Sequence, residues 1–423
     1  MVHEKALLAM KTHLAKTLSA CIIKDGFPVY ETYEEDVGKF ADETLKNKEL
    51  GRWLSYSNVF LIFFRKVQQA VSEITGIDNK AAGLLKDILG DTGTESLIQE
   101  ILNFIMSMPR SYSVYFRLIG LEFRDSKISL AEDISLVRFV NDNDIPRGAQ
   151  TPKSQPSLWS FLSMSLLGNY IETNTTYACI KGKGYAGDFD SDSAFVDAMT
   201  KFKQLLHLGL IYGGFKLHDE SHIGLFPNLG NRISSVIAIE DADESDMAGA
   251  PKLSTEIAQY AERLVLNTPG KIIAVAIKTF CPEPALQDLL KVPIWFIGIA
   301  DKNNNAKTIR TAIEWAFDSA INKNETIAFL QACIGIEALL GEDSGQELVT
   351  DRLADRCAYL LGTYAEKRKK IRKNFRELYR IRSKLVHGRI VRLEGDERRY
   401  LEWGQLILGR MITKEIANLK SEK

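Results

Sequence analysis

The sequence predicts a mainly helical α+β chain, with a C-terminal all-α helical bundle preceded by a helical and then a mixed α/β N-terminal region. Apolar residues recur at helical spacing through residues 1–110, and β-branched and aromatic runs follow them. Beyond the polar turn Asp301 to Asn305 the helical pattern is no longer interrupted by any strand-like run. A length of 423 residues favours two or three domains. The expected divisions are 1–110 (helical), 111–304 (mixed α/β) and 305–423 (helical bundle).

The first region takes its helices from Val59, Phe60, Phe63, Val67 and Val71, then from Leu84, Leu85, Ile88, Leu97, Ile101, Leu102 and Ile105, with Pro109 as the stop. Strands are expected in VYFRLIGLEF and KISLAEDISLVRFV, between Ser113 and Val140. A linker carrying Pro146, Gly148, Pro152 and Pro156 follows, then helices around Trp159 to Leu167 and Phe195 to Leu208. Two apolar runs, KIIAVAIKTF (271–280) and VPIWFIGIA (292–300), read as buried strands. The last region offers helices at 307–321, 325–340, 347–361, 365–387 and 396–419, and their short connections imply antiparallel neighbours.

Composition narrows the class of protein. Apolar content of 45% and charged content of 26% are those of a folded globular chain. A net charge of -1 gives no overall attraction to nucleic acid or anionic lipid, so such a partner needs a local patch. The 5 cysteines, at 21, 179, 281, 333 and 357, show no Cys-x-x-Cys spacing, which argues against a zinc site and a disulfide framework. Without a leader-like start or an apolar run of membrane-spanning length, the expectation is a cytoplasmic protein with reduced thiols and no membrane partner.

The fourth helix of the last region carries the chemistry. On a helical wheel Ile371, Phe375, Leu378 and Leu385 form one stripe, and Arg382 falls inside it. A guanidinium on an apolar face is costly to desolvate unless paired. In the second helix Ile327, Leu330 and Ile334 form a stripe with Glu337 at its edge. A fork-like Glu337–Arg382 pair is one expectation; separate snorkelling of each side chain to solvent is the other. His387 stands five positions after Arg382, so it shares a face with Arg382 only if the helix opens at its last turn, where Gly388 is a natural stop. Ser383 does share the face of His387. A histidine at a helix C-terminus is also simply a good partner for the helix dipole. Around the motif lies a basic run that includes Lys370, Lys373, Arg380, Lys384 and Arg389, which suits phosphate but is equally what a solvated helix face looks like.

Taken together, IEALLG (336–341), TDRLADRCAYLLG (350–362) and LYRIRSKLVHG (378–388) resemble the HEPN superfamily of ribonucleases, most closely its ApeA-like branch of bacterial antiphage proteins. The resemblance covers about residues 305–423 and is faint upstream, in FRLIGLEFRDSKISL. It implies a four- or five-helix bundle that dimerises and cleaves RNA without metal or other cofactor through an Arg-x(4–6)-His motif. Arg382 and His387 fit that motif; Ser383 stands where catalytic members often carry Asn, Asp or His. His387 would then be general acid/base, Arg382 the stabiliser of phosphate charge, Ser383 a supporting hydroxyl and Glu337 the group that orients Arg382. Lys384, Arg380, Arg389, Lys370 and Lys373 would hold RNA.

On this reading the chain is an endoribonuclease effector of antiviral, abortive-infection defence. Residues 111–304 would sense or regulate, a phage-derived trigger is a possible partner, and a homodimer or higher homo-oligomer brings two motifs together. The alternative is a catalytically silent HEPN module that only dimerises or binds RNA. The acidic stretch Glu240, Asp241, Asp243, Glu244 and Asp246 reads as a solvated loop, and His218 and His222 fall in a loop context near Gly224 and Pro227.

Overall fold

The computed structural model describes residues 3–75, 81–146 apart from 119, 122 and 124, then 149, 171–187, 191–217, 237–240, 253–267, 283–300, 303–341 and 349–421. The expected helix at 159–167, the linker residues Gly148, Pro152 and Pro156, the run 271–280, His218, His222 and Asp241 to Asp246 lie outside the described residues.

The first unit packs α1 (Glu4–Ala20), α2 (Glu34–Lys46), α3 (Tyr56–Thr75) and α4 (Leu85–Met106) around Leu14, Phe40, Phe63, Val67, Ile101 and Ile105. The apolar spacing read in α3 and α4 is the spacing that is buried. Gly90, at φ 69°, breaks α4 near its start, a conformation that only glycine adopts without strain. A small antiparallel sheet of β1 (Ile22–Lys24), β2 (Phe27–Pro28) and β3 (Gly83–Leu84) closes one side. Strands of two or three residues are too short to leave a periodic trace in the sequence.

The second layer is an antiparallel sheet in the order β5-β6-β7-β4-β9, made of β4 (Arg110–Arg117), β5 (Lys127–Ser129), β6 (Ile134–Arg138), β7 (Thr176–Gly184) and β9 (Ile237–Glu240). β4 and β7 pair in register from Arg110↔Gly184 to Arg117↔Tyr177. Alternation assigns the two faces: Tyr112, Val114 and Phe116 join the main core, while Tyr115 packs on the other side with Val137 and Tyr177. α5 (Ser193–Ile211) lies on the main-core face, where Phe202 stacks on Phe116 with ring centroids 4.2 Å apart.

Beyond α5 come β8 (Phe215–Leu217), α6 (Thr255–Glu262) and β10 (Leu264–Leu266), with β8 and β10 paired antiparallel. α7 (Glu283–Ile299) follows, and it corrects the reading of 292–300 as a strand. Leu286, Leu290, Phe296 and Ile297 are buried at helical spacing. A continuous apolar run does not reveal its period, and here its tertiary neighbours favour the helix.

The C-terminal part is all helical among the described residues: α8 (Asn304–Ile321), α9 (Glu325–Leu340), α10 (Val349–Leu361), α11 (Ala365–Val386) and α12 (Arg399–Ser421). The expected helices all form, with their ends shifted by a turn or less. Asn303 and Asn324 cap α8 and α9, each side-chain oxygen accepting from two backbone N–H groups. The hydrophobic core runs without a break from the sheet through α5 into this bundle.

Candidate functional site

α9 is apolar almost all round, so its periodicity could not decide which face is buried. The buried face is Ala328, Phe329, Ala332, Cys333, Gly335 and Ile336; the expected stripe of Ile327, Leu330 and Ile334 is only partly covered, and Ile327 is exposed. The small residues settle the matter. A Cβ at Gly335 would stand 2.7 Å from Leu408 and 3.2 Å from Trp315, so close approach of α8 and α12 requires that side of the helix. Glu337 is left on the half-covered side, facing α11.

α11 buries Ile371, Phe375, Leu378, Tyr379 and Ile381, with Leu385 partly buried, and Arg382 lies against this face as expected. The pair expected from the sequence forms: Arg382 Nε lies 3.2 Å from Glu337 Oε1, and a terminal Arg382 nitrogen donates to Glu337 Oε2 at 3.3 Å. This two-point contact fixes the plane of the guanidinium. Both side chains remain 30% exposed, so the pair contributes at most about 1 kcal/mol to stability. Its value is orientation.

Beneath the carboxylate lie two groups that the sequence did not single out. Burial pushes the Tyr379 hydroxyl and the Cys333 thiol well above their ordinary pKa ranges, and the neighbouring Glu337 charge raises both further. Tyr379 stacks on Phe375 at 4.8 Å, which fixes its ring. Arg382 therefore sits on a neutral, close-packed floor.

His387 is exposed and caps α11 at φ -87°, ψ 10°. The last turn does not open before it: the His387 N–H donates to the Ser383 carbonyl at 3.0 Å, an ordinary helical bond. The chain reverses at Gly388, φ 66°, where the Gly388 N–H reaches Leu385 and the Arg389 N–H reaches Lys384. These are the two bonds of a Schellman stop, which needs a left-handed residue in the place of Gly388. Arg382 and His387 thus keep helical spacing, about 7.5 Å along the axis and about 140° around it. The expected convergence of the two by an open last turn does not occur within one chain. The Ser383 side chain is exposed one turn before His387.

The connection after the motif is held down. The Leu393 N–H donates to Thr326 Oγ1 at 3.1 Å, Arg398 pairs with Glu325 at 3.0 Å, and Lys384 approaches Glu397 at 3.7 Å. Val386 and Val391 stay exposed beside His387 and within this connection.

The basic run proves to be divided. Arg380 is paired with Glu377 at 2.9 Å and Lys384 with Glu397, so neither is a free cation. Arg376 pairs with Asp351 at 2.7 Å and Arg372 with Asp355, both acids supplied by α10. Lys370, Lys373 and Arg389 are exposed and make no ion pair among the described residues. A local excess of base in sequence therefore overstates the charge offered to a ligand.

Among the described residues no group of three His, Cys, Asp or Glu is placed to hold a metal ion, and no helix is long and apolar enough to cross a membrane. Compared with family models, curated proteins and solved structures, the chain matches none.

Proposed function

We propose that the C-terminal bundle is a metal-independent endoribonuclease of the HEPN type, acting as an effector of antiviral defence. The observation that carries the reading is the two-point Glu337–Arg382 contact on α11, with the exposed His387 at the end of the same helix. An oriented guanidinium suits the equatorial oxygens of a phosphodiester in its transition state. An exposed imidazole suits proton transfer near neutral pH. In the reaction the RNA 2′-oxygen attacks its own phosphorus, the P–O2′ bond forms and the P–O5′ bond breaks. The 2′-hydroxyl proton goes to a base, and the 5′-oxygen takes a proton from an acid. Products are a 2′,3′-cyclic phosphate and a 5′-hydroxyl.

Because Arg382 and His387 are about 140° apart on one helix, a second copy is the simplest source of the complementary groups. The exposed Val386 and Val391 beside the motif fit such an isologous contact. Lys370, Lys373 and Arg389 are the cations left to meet RNA. The preceding regions would sense a phage-derived trigger or restrain the nuclease. A second reading, a silent HEPN module that dimerises or binds RNA, is favoured by His387 itself. Its imidazole makes no hydrogen bond among the described residues that would orient it.

The test is incubation of wild type and the Arg382→Ala/His387→Ala double variant with total cellular RNA in excess EDTA, followed by end-group analysis. Wild type should cut and leave cyclic phosphates, and the double variant should be slower by about 10²–10⁴-fold or more. Equal cutting by both proteins removes the motif from the mechanism. Cutting by neither, with or without a lysate of infected cells, favours the silent module.

A further inference from the structure

The start of α11, where it meets the end of α10 and α12, forms a second feature, distant from the motif. A cleft of about 1390 Å³ opens between the first turns of α11, the Gly362–Tyr364 connection and one stripe of α12 from Trp403 to Ala417. That stripe covers fourteen residue steps, about 21 Å of helix. The buried Ile371 and Ile407 form its floor. Lys367, Lys370, Arg410 and Lys414 line its walls and make no ion pair among the described residues, and Glu366 is the one carboxylate lining it there. Tyr364 is 63% exposed at one end and Trp403 is half-buried in the α12 wall. Tyr359, also in the wall, already has Arg368 and Arg372 over its ring at 4.8 and 5.4 Å.

The contrast with the other face of α11 is informative. There Arg372 and Arg376 have carboxylate partners supplied by α10; here four cations that make no ion pair among the described residues surround an apolar floor with aromatic rings. We infer that this cleft binds a single strand of nucleic acid, its phosphates on Lys367, Lys370, Arg410 and Lys414 and its bases against Tyr364 and Trp403. Unpaired cations along a groove, interleaved with stacking surfaces, are the elements of strand binding without sequence preference. The volume exceeds the roughly 300–1,000 Å³ of a small-molecule pocket. A second copy of this chain is a poor occupant, because a two-fold contact would set the same four cations against one another.

Lys370 lies twelve residues before Arg382, about 18 Å along α11, so the strand is held well away from the motif. The inference rests on the ribonuclease reading only in seating its RNA: Lys370 is common to both, the motif residues are not part of the cleft, and the test uses strands that cannot be cut.

Binding of a short fluorescent 2′-O-methyl RNA is measured by anisotropy across a salt series, with DNA of the same sequence in parallel and polyphosphate as competitor. The slope of log affinity against log salt should be about -2.8 for four contacts, falling to about -1.4 in Lys367→Gln/Arg410→Gln. Tyr364→Ser, at an exposed position, should weaken binding about 5- to 100-fold with the slope unchanged. Circular dichroism and sedimentation of each variant should match wild type. Equal binding of DNA supports recognition through phosphate and base alone, and weaker binding of DNA supports a contact to the ribose. The inference is overturned if the variants bind as wild type, if polyphosphate competes as well as the oligonucleotide and Tyr364→Ser has no effect, or if the variants change only the oligomeric state.

Discussion

The two helical ends of this chain are joined to the central sheet by different physics. The C-terminal bundle shares an uninterrupted apolar core with it: Phe317 of α8 meets the Tyr260 ring edge-on at 5.2 Å, and α5 packs on both the sheet and α8. The N-terminal unit has its own core, which takes in a single ring from the sheet side, Tyr185 at the end of β7, edge-on to Phe104 at 6.5 Å, and the rest of the joint is hydrogen-bonded. Asn58 donates to Asp192 at 2.6 Å, while Ser193 donates to the Trp53 carbonyl and accepts from the Tyr185 N–H, both at 2.9 Å. An apolar joint resists parting because separation exposes surface to water; a hydrogen-bonded joint exchanges its bonds with solvent at small net cost. The candidate nuclease thus shares the core of the sheet, whereas the first unit keeps a separate core joined to it by one ring and a few hydrogen bonds.

The largest test of that contrast is Phe317→Ala. Loss of a fully buried ring should cost about 3–5 kcal/mol and lower the denaturant midpoint of the sheet and the bundle together, as followed by hydrogen exchange in both. If only the bundle weakens, the core is not shared.

Next comes pH. His207 on α5 is buried with both ring nitrogens lacking a hydrogen-bond partner among the described residues, and burial lowers its pKa to about 4. The unfolded chain takes up this proton near pH 6.5, before the folded one does, so stability is full above that pH and is lost as pH falls toward 4. The loss approaches about 3 kcal/mol, and His207→Leu should flatten the stability profile in that window. An unchanged profile would show that His207 binds its proton equally in the folded and unfolded chain.

Smaller still, Ser193→Ala removes one polar link between α5 and the N-terminal unit, for about 1–3 kcal/mol. Faster proteolysis within residues 3–75, with the sheet and bundle as protected as in wild type, is the expected result; equal weakening everywhere would erase the distinction between the joints. The least effect on stability is expected from Glu337→Gln, below about 1 kcal/mol because the pair is partly solvated. Its effect on RNA cleavage should be larger than its effect on stability, since the amide keeps the volume and loses the charge that orients Arg382.

The sequence by itself determined what depends on near neighbours. Helices were legible in both end regions: Asn303, Asn324 and Gly388 mark ends in the bundle through local hydrogen bonds, and apolar spacing on α3 and α4 in the first unit and on α11 in the bundle matches the helical period. The demand of Arg382 for a partner was legible too, as a charge on an apolar stripe. Only the tertiary structure decided the rest. It put residues 292–299 in a helix, turned the Ala and Gly face of α9 inward, neutralised Arg372 and Arg376 with acids from α10, and left Lys367, Lys370, Arg410 and Lys414 around one cleft without an ion pair among the described residues. Continuous apolar runs carry no period, and a charge is neutralised by whatever the fold brings beside it, often from residues far away in the chain.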